Sequence, residues 1–254
     1  MKAAIITQDD PFFLPDAMEQ LCRLAKGRHE FVGCVMLSAS PFGKRESFAA
    51  KALKTWRIFG TAFFVRYAAR FLGAKLIRRR SVADVLSGHS VPIVTLEQSI
   101  NHKQSLEVIG NLGADVLVSI VGNEIFRRPL LDLAPRGCLN LHTALLPKYR
   151  GLMPSFWVLK NRESHTGVSV FLVDEGIDTG PIVVQRKVEI GDMSQDALIR
   201  ETKQIGMEMI VEAMDLLENE GFQPAPNNDA DATYFGFPTR EDVKAFRAAG
   251  ARFF

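Results

Sequence analysis

Three side chains able to stabilise an oxyanion and move a proton fall in one part of the sequence. Asn140 and His142 stand two apart in L-N-L-H, and Asp178 follows downstream in G-I-D-T-G. Residues two apart on a strand project to the same face, so the amide and the imidazole share the space above it. Val168 to Val173 is a β-rich run that breaks at Gly176 and delivers Asp178 just past its C-terminal end. An amide, an imidazole and a carboxylate converging there supply donors for a carbonyl oxygen gaining charge and a place for a proton. Taken singly, each has a plainer reading: a satisfied structural His, a loop-bonding Asn, an Asp in a turn. Their joint spacing, with L-L-P-K-Y-R-G between them, favours chemistry.

Asn140-x-His142, the Leu145-Leu146-Pro147-x-Tyr149-Arg150-Gly151 loop and Gly176-Ile177-Asp178-Thr179-Gly180 together resemble the signature of folate-dependent formyltransferases. The similarity is strongest from about Asp115 to Ile190. That family spans methionyl-tRNA formyltransferases, glycinamide ribonucleotide transformylases, sugar-nucleotide N-formyltransferases and formyltetrahydrofolate hydrolases. The resemblance implies a formyl group passed from N10-formyltetrahydrofolate, a co-substrate, to an amine, with no metal. It assigns the catalytic roles to Asn140, His142 and Asp178. It places a pterin pocket at Gly122, Asn123, Glu124, Ile125 and Phe126, whose plainer reading is a strand-to-helix turn. Glu175, Gly176 and Ile177 form the other wall, with Leu146 and Pro147 at the floor. Tyr149 and Arg150 suit an acceptor-side contact, because a guanidinium pairs with phosphate or carboxylate; the plainer reading is a solvated loop tip.

The elements that must hold these groups alternate. Ala3 to Ile6, Phe31 to Leu37, Val91 to Val94, Val116 to Val121 and Cys138 to Leu141 read as strands, and Phe12 to Ala25 and Leu106 to Leu112 as helices between them. Strands follow at Val168 to Val173 and Ile182 to Ile190, then a long helix from Ala197 to Leu217. Early strands that are apolar throughout and separated by helices predict an α/β fold: an open, mostly parallel twisted sheet, Rossmann-like, with helices on both faces. Ligands in such sheets bind at the carboxyl ends of strands. A catalytic domain is expected over residues 1–221, with 222–254 as linker and short helical extension, in which Thr239 can cap a helix with Asp242.

The first strand is followed by Thr7-Gln8-Asp9-Asp10, acidic and free of glycine. Such a loop cannot cradle a pyrophosphate, which disfavours a nicotinamide role. Within the family it resembles, glycinamide ribonucleotide transformylases carry a glycine-rich phosphate loop at this place, so the resemblance disfavours that acceptor too. The tail is too short for the tRNA-gripping barrel that methionyl-tRNA formyltransferases usually carry. A nucleotide-linked amino sugar is therefore the favoured acceptor, with charged initiator tRNA the runner-up and nucleic acid otherwise disfavoured. A formyltetrahydrofolate hydrolase, or a folate-binding or membrane-associated module without catalysis, is the alternative of another class. A homodimer is compatible with the sequence.

A net charge of +2 is too small to argue for nucleic acid alone. Cys22, Cys34 and Cys138 are scattered without a C-x-x-C pair, which predicts reduced buried thiols and a cytoplasmic protein. His29, His89, His102 and His165 read as solvated, His165 within a turn. Lys44 to Arg80 holds eleven basic residues against Glu46 alone, interleaved with aromatics. It suits a helix packed on the sheet, a basic amphipathic element meeting a membrane surface or anionic acceptor, or an RNA contact.

Overall fold

Alternation along the apolar strands decides the architecture. In the computed structural model, residues 1–37, 47–74, 76 and 80–254 are described. The chain begins β1 (Lys2–Gln8), α1 (Leu14–Ala25), β2 (Glu30–Leu37), α2 (Phe48–Phe59), α3 (Thr61–Gly73), α4 (Val82–Gly88) and β3 (Ile93–Thr95). It continues with α5 (Lys103–Gly110), β4 (Val116–Ser119), α6 (Arg128–Leu131), β5 (Cys138–His142), β6 (Arg150–Gly151) and α7 (Pro154–Lys160). It closes with β7 (His165–Leu172), β8 (Ile182–Glu189), α8 (Gln195–Glu218), β9 (Tyr234–Phe235) and α9 (Arg240–Ala248).

β1 sends Ala3 and Ile5 into one core layer, with α1, α4 and α8, and Ala4 and Ile6 into the other, with α5 and α6. A strand apolar on both faces needs helices on both, and the sheet has them. Seven strands run in the order β3-β2-β1-β4-β5-β7-β8. β1 to β5 are mutually parallel, as the sequence predicts. β7 departs from this: it pairs antiparallel with both β5 and β8. The chain builds outward from β1 to β3, then returns to add β4 on the other side. The carboxyl ends of β1 and β4 therefore flank a topological switch point, with β5 next to it.

The tail is not a separate appendage. Val243 and Phe246 of α9 are buried among Phe156, Trp157 and Leu198, and Phe246 stacks on Phe156 at 4.8 Å. β9 pairs with β6, and the N–H groups of Gln195 and Asp196 donate to the carbonyls of Arg252 and Phe253. The expected cap of α9 is present: Thr239 and Asp242 bond each other's backbone N–H groups. Within 44–80 the described residues form two helices, α2 and α3, broken at Gly60 (φ +84); residues 44–46, 75 and 77–79 lie outside the described residues.

Candidate active site

Cys138 of β5 faces the α5/α6 layer, so alternation puts Asn140 and His142 on that same side while Leu139 and Leu141 face the other. Asn140 is half-buried and lies in register between Ser119 and Phe171. His142 is buried beside Ser169 at the carboxyl end of β5.

Asp178 arrives by a different route from the one the sequence suggests. Because β7 runs antiparallel, its last residue, Leu172, lies beside Leu139 near the start of β5. The loop after it must climb about three residues, roughly 10 Å, across the face of β5 to reach His142. There the Asp178 Oδ2 lies 3.5 Å from His142 Nδ1 and accepts the Gly151 N–H at 2.8 Å. The backbone at Asp178 is left-handed (φ +54). It is held by Asn227, whose Nδ2 donates to the carbonyls of Asp178 (2.9 Å) and Gly180 (3.0 Å). Gly151 is required where it stands, since a Cβ would come within 2.3 Å of the Phe235 carbonyl.

The His142 Nε2 lies 2.8 Å from the Tyr149 carbonyl, an acceptor that fixes the Nε2–H. That leaves Nδ1 as the working nitrogen. At 3.5 Å from the carboxylate it stays within reach of a second partner. The segment between is fastened from below: Ser169 Oγ donates to the Ala144 carbonyl and accepts the Leu146 N–H, and Gln185 donates to the Leu146 carbonyl. The Leu146–Pro147 bond is cis.

The other residues singled out in the sequence divide into two groups. Ile125, Glu175, Gly176 and Ile177 are exposed on loops on either side of β5. A Cβ at Gly122 would meet the Ser119 hydroxyl at 2.5 Å, and Asn123 bonds Gln8 of β1 across the switch point at 3.0 Å. Glu124 points away, accepting from Ser99 Oγ and the Ile100 N–H. Phe126 and Leu146 are buried in core clusters, and Pro147 lines a separate cleft with Gln185 and Pro226.

Tyr149 and Arg150 depart furthest from their expected acceptor-side position. Tyr149 is buried, stacks on Phe235, and donates its hydroxyl to Glu163 at 2.6 Å. Burial, then Glu163, pushes that phenol up to about 12. Arg150 is buried with Nη1 on Asp229 and Nη2 on Asn227. Both side chains tie the loop to the tail instead of reaching outward. Asn227, which no motif flagged, is the group that joins this anchor to Asp178.

Two histidines also depart from the sequence reading. His165 opens β7 instead of sitting in a turn. His29 is buried at the amino edge of the sheet, 2.9 Å from Asp215 and 3.8 Å from Glu218. Its ligand-capable cluster is already in contact with Arg28 and the Met1 amino group. His89 pairs with Glu19, and His102 caps α5. The three cysteines are free and buried, as expected.

The open α/β sheet thus carries an Asn-x-His strand end with an Asp-bearing loop folded over it. The formyl transferase family model matches residues 66–214, and the chain belongs to that family. Methionyl-tRNA formyltransferase of Kosmotoga olearia is 31% identical over 172 residues, covering 67% of this chain and 55% of the relative. That of Thermosynechococcus vestitus is 36% identical over 147 residues, 58% of this chain and 44% of the relative. The chain thus spans about half the length of the relatives it matches. The fold is shared with glycinamide ribonucleotide transformylase 1 from Symbiobacterium toebii (TM-score 0.61, 16% identity, 90% and 94% of the two chains). It is shared equally with a sugar N-formyltransferase from Shewanella sp FDAARGOS_354 (TM-score 0.61, 17% identity, 98% and 87%).

Proposed function

We propose that this chain transfers a formyl group from N10-formyltetrahydrofolate to the amino group of a nucleotide-linked amino sugar. The observation that carries the reading is His142, anchored through Nε2 and presenting Nδ1 beside Asp178 at the end of β5. The surroundings fit a flat donor ring with polar edges: Ile125 and Ile177, 50% and 38% exposed, offer apolar surface on loops either side of β5. When bound, the donor supplies the formyl carbon. Asn140 Nδ2 and a protonated His142 Nδ1 donate to the carbonyl oxygen as charge builds there. Asp178 holds the proton at Nδ1 and takes the proton released by the attacking amine, directly or through water; that proton passes to N10 as the bond from N10 to the formyl carbon breaks and tetrahydrofolate leaves.

Support for an amino-sugar acceptor over a glycinamide ribonucleotide is the absence of glycine in Thr7 to Asp10. The sequence relatives favour a second acceptor, charged initiator tRNA. The test is incubation with the formyl donor and a panel of amino-sugar nucleotides and charged tRNA, reading the product's mass. His142→Ala and Asp178→Asn are each expected to cut transfer by about two orders of magnitude or more, with the fold intact by circular dichroism. Near-normal turnover in either variant removes the assignment.

A further inference from the structure

Among the described residues, helix α3 is the one place where a long apolar face is left in water. Among its thirteen residues none is buried, and its only charged side chains are Arg66 and Arg70. Its inner face is used: Phe63 stacks between Phe59 and Tyr67 and meets Phe253 edge-on, while Tyr67 packs on Phe12. The opposite stripe, Ala62, Val65, Ala69 and Leu72, follows the three-four spacing of a second apolar face, and Leu76 lies just past the helix. Val65, Leu72 and Leu76 are 60%, 55% and 64% exposed. Six of the eleven exposed large hydrophobics among the described residues lie between Leu53 and Leu76, including Trp56. A cluster of that kind marks a contact surface. The family match begins only at residue 66, so α2 and the start of α3 fall outside it.

Charge identifies the occupant. Residues 47–74 carry Lys51, Lys54, Arg57, Arg66 and Arg70 and no acid, and of these Arg70 is ion-paired with Asp196. A second copy of the chain would bring the same positive charge to the contact and be repelled. A nucleic acid supplies phosphate but nothing to cover aliphatic Val65, Leu72 and Leu76. An anionic bilayer surface supplies both, headgroup charge for the basic residues and an acyl boundary for the stripe. At about 20 Å α3 is too short to cross a bilayer, and no described helix is long and apolar enough to do so. Trp56, half-exposed and bonded to Thr61 across the Gly60 corner, sits where an interfacial aromatic belongs. We propose that the outer faces of α2 and α3 dock this protein flat on anionic lipid.

The test uses the full chain with phosphatidylcholine vesicles, alone or with about a third phosphatidylglycerol, in low and high salt. Binding is expected to be at least about tenfold tighter on the anionic vesicles and to weaken with salt. The chain has two tryptophans and Trp157 is buried, so a blue shift on binding reports Trp56. Val65→Asp combined with Leu72→Asp, both at exposed positions, is expected to lower partitioning about tenfold or more, and Arg57→Glu about fivefold. Circular dichroism checks that the variants fold. Absence of an anionic preference, or of a Trp56 shift, overturns the proposal. So does a dimer at micromolar concentration that the Asp variants dissociate, or RNA binding tighter than vesicle binding and indifferent to those variants.

Discussion

Asn227→Ala tests whether Asp178 is positioned by the tail. The side chain makes three bonds: two from Nδ2 to the Asp178 and Gly180 carbonyls, and one from Arg150 Nη2 to Oδ1. At a net ~0.5–1.5 kcal/mol each, their loss removes about 2–4 kcal/mol of local anchoring. The left-handed backbone at Asp178 itself costs roughly 1–2 kcal/mol. What remains is the Gly151 N–H on Oδ2, a single bond of about the same worth as that cost. Asp178 should then spend more than half of its time away from His142, lowering kcat by roughly 2–10-fold at about 1.4 kcal/mol per decade. Asn227→Asp keeps an acceptor for Arg150 but loses both donors, so it should fall at least as far. The assays are kcat for formyl transfer and hydrogen exchange over residues 174–181, which should quicken in both variants. Wild-type kcat and wild-type exchange in both would refute the reasoning.

Further expectations concern the surrounding structure. Gly151→Ala, with its Cβ pressed on the Phe235 carbonyl at a φ of +96°, should cost more than about 2 kcal/mol and lower the melting temperature; an unchanged melt contradicts the packing. Burial alone would raise the Asp242 carboxyl, but the Thr239 backbone and hydroxyl and Lys160 outweigh it and hold it below its ordinary value. That stabilisation is present above the unfolded carboxyl pKa and is lost as pH falls through the depressed one, so α9 should loosen first below about pH 4. Limited proteolysis should find that acid sensitivity gone in Asp242→Asn. Burial pushes the Cys22 thiol up to about 11 and Cys34 to about 12, and raises Cys138 as well. Native protein should therefore resist iodoacetamide that labels all three thiols on unfolding; rapid native labelling would count against the buried assignment.

What the sequence revealed depended on which physical signals it carries. Val116 to Ser119 and Ala3 to Ile6 are apolar on both faces, and that fixes a sheet covered twice over. Strand alternation put Asn140 and His142 on one face, as the structure does. The direction of β7 was not legible, because a β-branched run reads the same in either sense, and so the climb of the Asp178 loop across β5 was hidden. Tyr149 and Arg150 looked like contact residues because their types suit ligands; only the fold shows Glu163, Asp229 and Asn227 waiting for them. Asn227 itself sits in Q-P-A-P-N-N-D, a composition shared by any solvated connector. His29 gave no hint of the two carboxylates that α8 brings to it from far along the chain.

The bond from Asn227 to Asp178 spans 49 residues of later sequence. At typical elongation speeds the ribosome needs roughly 2–10 s to cover that distance. Once β8 and α8 have been made, a nascent chain can hold its sheet and its imidazole while the carboxylate loop still swings unlatched. The latch on Asp178 is thus added late in synthesis, and a product cut short between residues 219 and 226 would keep the seven-stranded sheet and α8 while lacking it.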